Sequence, residues 1–233
     1  NSSSTSAGGI VGRALNDNRI VNCVNTGDIK NTYAYNNSTL NIGGIVGYTY
    51  GTVENCYSTG KVDADPTKTT NKAIGGIAGA VKGSSTSKKW GSLINCYVTG
   101  TVTGPESGIG AVVGTVDSGT SITNCAYLDT IAPQAVAEGS TSGMTARTAD
   151  YMRTPEFAAE MGMHLDSGNS NGGFPVLPWQ GGTPVGNADL KAAAAAANAL
   201  QLRGMSAAAA AKKAKADWYA ETVLGFYDLT DYN

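Results

Sequence analysis

Charge and histidine are what this chain has least of. Only 15% of its 233 residues are Asp, Glu, Lys or Arg, against the ~25% of an average soluble domain, and His164 is its single histidine. The 16 basic and 18 acidic side chains leave a net charge of −2. Nine basic and eight acidic residues share the first 130 positions, so there is no basic field to attract nucleic acid or anionic lipid. With one histidine and no clustered carboxylates, most hydrolytic and metal-dependent chemistries are hard to assemble, and no His-Glu-x-x-His motif occurs. Aromatics are scarce too, at 7%. No apolar run approaches the ~18–20 residues of a membrane span. The chain is nonetheless 41% apolar, which argues against disorder and allows one large domain or two small ones.

What the chain has in excess is glycine, 31 residues, about twice the usual share, and these glycines recur in a pattern. An apolar-Gly-Gly-apolar-apolar-Gly block occurs at Ala7 to Gly12, Ile42 to Gly47 and Ile74 to Gly79, with a weaker copy from Ile109 to Gly114. Each is followed by an Asn-Cys block: Ile20-Val21-Asn22-Cys23, Val53-Glu54-Asn55-Cys56, Leu93-Ile94-Asn95-Cys96 and Ile122-Thr123-Asn124-Cys125. A third block follows three times, at Thr26-Gly27-Asp28-Ile29, Thr59-Gly60-Lys61-Val62 and Thr99-Gly100-Thr101-Val102; the fourth copy has Tyr127-Leu128-Asp129 instead, which suggests a terminal, modified turn.

Short β-branched or apolar segments bounded by Gly, Asn and Thr read as strands punctuated by turns. Three such strands per repeat, with no helical stripe between them, predict a mainly β fold. The specific expectation is a right-handed parallel β-solenoid of about four irregular repeats, with three faces per coil. Equivalent residues then stack ~4.8 Å apart. The cysteine spacings of 33, 40 and 29 are compatible, because extra residues leave as corner loops at little entropic cost. Alternation should send Ile10, Ile45, Ile77 and Val112 to one side of their strand. The Gly pairs suit tight corners or close coil packing. Asn22, Asn55, Asn95 and Asn124 should stack with their amides on corner backbone groups. Stacked cysteines have parallel Cα–Cβ vectors, unsuited to the ~90° disulfide torsion, so four buried free thiols are expected; zinc lacks convergent ligands.

These residues resemble the GLUG-motif repeats of bacterial surface proteins, found in large adhesins and near the protease domains of some IgA peptidases; the resemblance covers roughly residues 7 to 130. A second likeness runs from Gly143-Met144-Thr145 through Phe157, then from Asn171 to Trp179, to the closing segment that often follows such repeats. The resemblance implies an extracellular or cell-surface bacterial setting and transfers no catalytic residue. Asn1, and a serine run that enters a repeat block directly, point to a piece of a longer protein.

The organisation read from the sequence is a solenoid over residues 1–130, a mixed helix/strand closing segment over 131–180, a linker over 181–186 and an Ala-rich helical hairpin over 187–233. Within the closing segment, Thr145 or Thr148 caps a helical stretch that Pro155 splits into two short helices meeting at Arg153-Thr154. Residues 166–173 form a polar turn, and Phe174 to Trp179 an edge strand. The segment is expected to cover the open end of the solenoid. Asp228 to Asn233 could open a calcium loop, but an acidic tail is the simpler reading.

The function expected is a non-catalytic structural or adhesive segment of a large bacterial surface protein, with no cofactor, no metal, no catalytic residue and no membrane span. Its partners would be a surface protein or glycan, or other modules of the parent chain. The alternative is a carbohydrate- or protein-binding module attached to a secreted enzyme, binding through loops at Asn31 to Leu40 (Tyr33, Tyr35), Tyr48-Thr49-Tyr50 or Lys82 to Trp90; the ligand-binding residues themselves stay unassigned. A β-helical polysaccharide-active enzyme would need paired carboxylates on one strand face. The repeat-region acids are scattered instead, and the Asp28 slot is Lys61 and Thr101 in the next repeats. His164 reads as a surface histidine.

Overall fold

The computed structural model describes residues 4–15, 18–31, 39–64, 71–104, 107–132 and 134–186. The chain divides into two compact units between Arg147 and Thr148. In the first unit every strand is short, because a corner cuts each sequence block. One circuit comprises β1 (Ser4–Gly8), β2 (Val11–Ala14), β3 (Arg19–Val21), β4 (Val24–Asn25) and β5 (Ile29–Asn31). The next repeats it as β6 (Thr39–Gly43), β7 (Val46–Thr49), β8 (Thr52–Glu54), β9 (Tyr57–Ser58) and β10 (Val62–Ala64). The third has β11 (Asn71–Gly75) and β12 (Ala78–Val81), an inserted antiparallel hairpin of β13 (Gly83–Ser84) and β14 (Lys89–Trp90), then β15 (Ser92–Ile94), β16 (Tyr97–Val98) and β17 (Val102–Thr103). There follow β18 (Ile109–Gly110), β19 (Val113–Val116), β20 (Ser121–Thr123), β21 (Cys125–Leu128), β22 (Val136–Glu138) and β23 (Met144–Arg147).

Apart from the hairpin, these strands pair only in parallel, like block on like block. The ladders are β1-β6-β11-β18, β2-β7-β12-β19-β22, β3-β8-β15-β20, β4-β9-β16-β21-β23 and β5-β10-β17. The fold is a mainly β, parallel β-solenoid of about three turns. The register sets Ile74 between Ile42 and Ile109, and Val53 between Ile20 and Leu93. Five ladders replace the three faces expected from the sequence, because two of the three blocks are bent. The Gly-Gly block leaves β6 at Gly43 and enters β7 at Val46, and the Asn-Cys block leaves β8 at Glu54 and enters β9 at Tyr57. The fourth repeat also differs from expectation: Tyr127 and Leu128 continue β21 as strand, and the turn comes at Asp129-Thr130.

Each kind of corner has its own chemistry. Asn22, Asn55, Asn95 and Asn124 all have φ between 50° and 56°, the left-handed region that Asn tolerates better than other side-chain-bearing residues. Their carboxamides bond one another rather than only the corner backbone: Asn95 Nδ2 donates to Asn55 Oδ1 at 3.2 Å, and Asn124 Nδ2 to Asn95 Oδ1 at 2.9 Å. At the Gly-Gly corner the constraint is space. A methyl on Gly44 would lie 2.0 Å from Gly76 O and 2.4 Å from Ser58 Oγ, and one on Gly76 would lie 2.4 Å from both Ala111 O and Val98 Cγ1.

Inside the coils runs one apolar core, with Ile45, Ile77, Val53, Leu93 and Val112 fully buried. A smaller cluster joins Leu40, Ile42, Val62, Ala64, Ile74 and Val102. Burying one such aliphatic side chain is worth about 1.5–3 kcal/mol. Ile10, in the first circuit, remains 44% exposed where its counterparts are at 0%. Tyr57 and Tyr97, adjacent in one ladder, stack with ring centroids 4.7 Å apart and planes 8° from parallel.

In the second unit, Thr148 caps α1 (Ala149–Met152) through its side chain, and Thr154 caps α2 (Pro155–Glu160), with Pro155 in the first turn. The two helices thus meet at Arg153-Thr154 as expected, whereas Thr145 lies in β23 and caps nothing. Met152, Phe157 and Met161 are fully buried. The expected edge strand over Phe174 to Trp179 does not form. Val176 makes an isolated antiparallel bridge with His164, and Pro178–Gln180 is a 3-10 helix, consistent with a proline on either side of Val176-Leu177 that cannot donate to a ladder. The Ala-rich hairpin and the acidic tail lie outside the described residues.

Two stability measurements follow. Gly76→Ala should lose about 3 kcal/mol in urea unfolding, while Gly168→Ala, where the added methyl meets nothing, should stay within about 0.5 kcal/mol. At the other corner, Asn95→Gly should lose about 1–2 kcal/mol through its ladder bonds, and Asn95→Ala about 1 kcal/mol more for the left-handed backbone; the reverse order would contradict the corner assignment.

Candidate functional site

The most regular constellation of reactive groups is the cysteine column. Cys23, Cys56, Cys96 and Cys125 occupy equivalent corners and are all free thiols. Each Sγ donates to the carbonyl two residues upstream: Cys23 to Val21 at 3.4 Å, Cys56 to Glu54 at 3.2 Å, Cys96 to Ile94 at 3.3 Å and Cys125 to Thr123 at 3.6 Å. Cys23 N also donates to Cys56 Sγ at 3.4 Å. Ionisation is opposed along the column. Burial, then neighbouring Cys56, pushes the Cys23 thiol up; the hydrogen bond with Cys96, then burial, pushes up Cys56; burial foremost holds Cys96 far above the ordinary thiol range. Cys56, Cys96 and Cys125 fill the core, whereas Cys23 is only half-buried rather than buried as expected; the raised thiols Cys23, Cys56 and Cys96 are poorly suited to act as nucleophiles.

The scattered acids bind neighbouring coils. Asp28 Oδ1 accepts from Lys61 N at 2.8 Å. Glu54 pairs with Arg19 at 2.5 Å. Asp117 takes Lys82 Nζ at 2.6 Å and Gly83 N at 3.2 Å. Asp63 accepts from Thr103 Oγ1 at 2.7 Å and lies 3.3 Å from Lys61 Nζ; the Thr103 bond first, then Lys61, lowers its carboxyl below the usual range. Asp17, Asp65 and Glu106 lie outside the described residues. Among the described residues no three His, Cys, Asp or Glu side chains converge to hold a metal ion, and no helix is long and apolar enough to cross a membrane.

Of the loops singled out in the sequence, Tyr33 and Tyr35 lie outside the described residues. Tyr48 meets Tyr50 edge-on at 5.5 Å and carries Arg13 over its ring at 4.7 Å. Burial, followed by the hydrogen bond with Tyr50, pushes its phenol up to about 12. The Lys82 to Trp90 segment is the inserted hairpin, whose Trp90 is 47% exposed and lies against Gly119 of the next circuit. His164 Nδ1 lies 3.3 Å from the Gly181 carbonyl. The polar turn after it is organised by buried Asp166, whose carboxylate accepts from Ser170 N, Ser170 Oγ, Asn171 N and Gly173 N at 2.7–2.9 Å. That is a loop-folding role.

One feature escaped the sequence reading. The walls β6-β11-β18 and β12-β19-β22 touch through glycine: a methyl on Gly114 would lie 2.2 Å from Ile74 N, and one on Gly79 would lie 2.5 Å from Ile42 N. Beside this contact a groove of about 490 Å³ runs across the coils, lined by Asn41, Lys72, Ala73, Ala80, Thr115 and Glu138 among others. Its signal in the sequence is faint: Ala80 stands in register between Tyr48 and Thr115, and Ala73 beside Asn41.

The thiol column generates a pH prediction. Cys56 and Cys96 stay protonated in the folded chain and ionise near 8.5 when unfolded, so their stabilisation is complete below about pH 8.5 and is lost as pH rises, by up to about 1.4 kcal/mol per thiol per pH unit. Urea midpoints measured from pH 7.5 to 10 should fall, and Cys56→Ala/Cys96→Ala should flatten that slope.

No curated protein and no solved structure matches the chain. A family model, the GLUG motif, matches residues 3–30, 38–63 and 70–103. Its three matches fall on the first three occurrences of the Gly-Gly and Asn-Cys blocks, the circuits that build the five parallel ladders. Residues 3–30, 38–63 and 70–103 are therefore three GLUG-motif repeats.

Proposed function

We propose that this chain is a non-catalytic structural or adhesive segment of a large bacterial surface protein. The observation that carries the reading is the use made of its side chains. Core aliphatics, corner asparagines, thiols and described carboxylates such as Asp28, Glu54, Asp63 and Asp117 reach one coil further along the axis, so the repeats spend their chemistry on joining coil to coil. A solenoid built this way can hold other modules apart and present a surface.

In its finer form the reading is a right-handed solenoid of four irregular repeats over residues 1–130, followed by a closing segment over 131–180 and a linker over 181–186. The extracellular setting is supported by the GLUG repeats alone. A second reading, a carbohydrate- or protein-binding module attached to a secreted enzyme, is favoured by the groove across the coils.

Antibodies raised against the chain should label intact cells of the source organism, and brief protease treatment of those cells should remove the signal. Labelling only after permeabilisation would overturn the surface assignment. Turnover of a polysaccharide by the purified chain, abolished by one carboxylate substitution, would overturn the non-catalytic one.

A further inference from the structure

The first coil is the end member of every ladder it enters. Among the described residues β1, β2, β3, β4 and β5 each pair on one side only. The coil they form is less covered than its copies: Ile10 is exposed where Ile45 and Ile77 are fully buried, and Cys23 is half-buried where Cys56 and Cys96 are buried. An open edge alone does not say what belongs on it. The glycines do, because the side chains they lack would point along the axis in one of two directions.

Gly8 and Gly9 face the following coil, and that side is filled. A methyl on Gly8 would lie 2.7 Å from Ile45 O, and one on Gly9 2.4 Å from Gly44 O. Gly47, Gly79, Gly60 and Gly100 face the preceding coil and are as crowded. A methyl on Gly47 would lie 2.7 Å from Gly12 O and one on Gly79 2.4 Å from Gly47 O; on Gly60 it would lie 2.1 Å from Gly27 O, and on Gly100 2.1 Å from Gly60 O. Gly12 and Gly27 hold these two positions in the first coil. There, among the described residues, a methyl on Gly12 would meet only the Ser6 backbone of its own coil, at 3.1 Å. One on Gly27 would meet only Asn25 Oδ1, at an ordinary 3.6 Å. Nor does Gly27 have a positive φ. The requirement it matches is the one that a preceding carbonyl imposes on Gly60 and Gly100.

The backbone groups at this edge fall in the same order. Tyr57 N donates to Cys23 O and Tyr97 N to Cys56 O, toward the preceding coil; Ile10 N donates to Ile45 O and Ile45 N to Ile77 O, toward the following one. A coil stacked before β1–β5 would therefore find a donor in Val24, the counterpart of Tyr57, and an acceptor in the carbonyl of Ile10, the counterpart of Ile45.

We infer that the N-terminal face of the first coil is a seat for one further coil of the GLUG block order, parallel and in register, supplied by the parent polypeptide. The coil-to-coil contacts already described join consecutive circuits of one chain, and this face continues them. The inference rests on the segment reading for the source of that coil and on the glycines for its kind.

Hydrogen exchange read by mass spectrometry tests it, on the chain as it stands and on the chain with a copy of residues 38–69 joined to Ser3 in place of Asn1-Ser2. The family matches begin at residues 3, 38 and 70, so this junction keeps the repeat spacing. With the added coil, amides of β3, β4 and β5 should exchange at least about tenfold more slowly; a scrambled copy of the same segment should leave them unchanged. Gly27→Ala should alter exchange in β4 and β5 by less than about twofold in the chain as it stands, and speed it at least about tenfold in the extended chain. Gly60→Ala, already crowded by Gly27 O, should speed exchange in both. Three results would overturn the seat: no slowing beyond that of the scrambled copy, an equal effect of Gly27→Ala with and without the added coil, or sedimentation of the unextended chain as a dimer with β1–β5 already protected, which would make a second copy the occupant. Each leaves the labelling of intact cells unaffected, so a failed seat and a failed surface assignment are distinguishable.

Discussion

Parallel stacking in register is the constraint on which this molecule depends. Once a coil must repeat its neighbour about 4.8 Å away, every position along it faces its own kind, and only residue types that tolerate self-contact survive there. Aliphatics satisfy this by packing, as Ile45 and Ile77 do; tyrosines by stacking, as Tyr57 and Tyr97 do. Asparagine bonds to asparagine, and neutral thiol accepts neutral thiol. Charge does not tolerate it, which explains why the chain carries so little. Where charge occurs, the partner one coil away is of opposite sign or neutral: Glu54 with Arg19, Asp117 with Lys82, Asp63 with Thr103.

The same constraint determined what the sequence disclosed. The Asn-Cys columns were legible because recurrence of a block is a direct statement about the axis. The number of strands per coil was not, since an unbroken string such as Ile42 to Gly47 reads as one strand, and its corner arises from backbone crowding against the next coil, visible only with both coils present. The sequence places asparagine at a corner, yet a single repeat offers its amide no acceptor but local backbone. In the second unit, Thr154-Pro155 is a local signal and legible in the sequence, whereas whether Phe174 to Trp179 forms a strand depends on the neighbours available to it, which prolines alone do not tell.

The groove was the least legible feature. Its lining comes from several circuits, and Ala80 is smaller than Tyr48 and Thr115, the residues in register with it on either side. In a repeat architecture such departures from the consensus carry the individual character of the molecule, while the consensus carries its shape. What the repeats share explains the stacked coils; what one coil omits defines the cleft.

The asparagine ladder has a sense of direction. Asn124 donates a hydrogen bond to Asn95 and Asn95 donates one to Asn55, each toward the N-terminal end. Aligned carboxamides polarise one another, so their dipoles add along the axis instead of cancelling. Such a run is electrically polar along the axis, and an incoming coil would meet a different polarity according to the end at which it arrives.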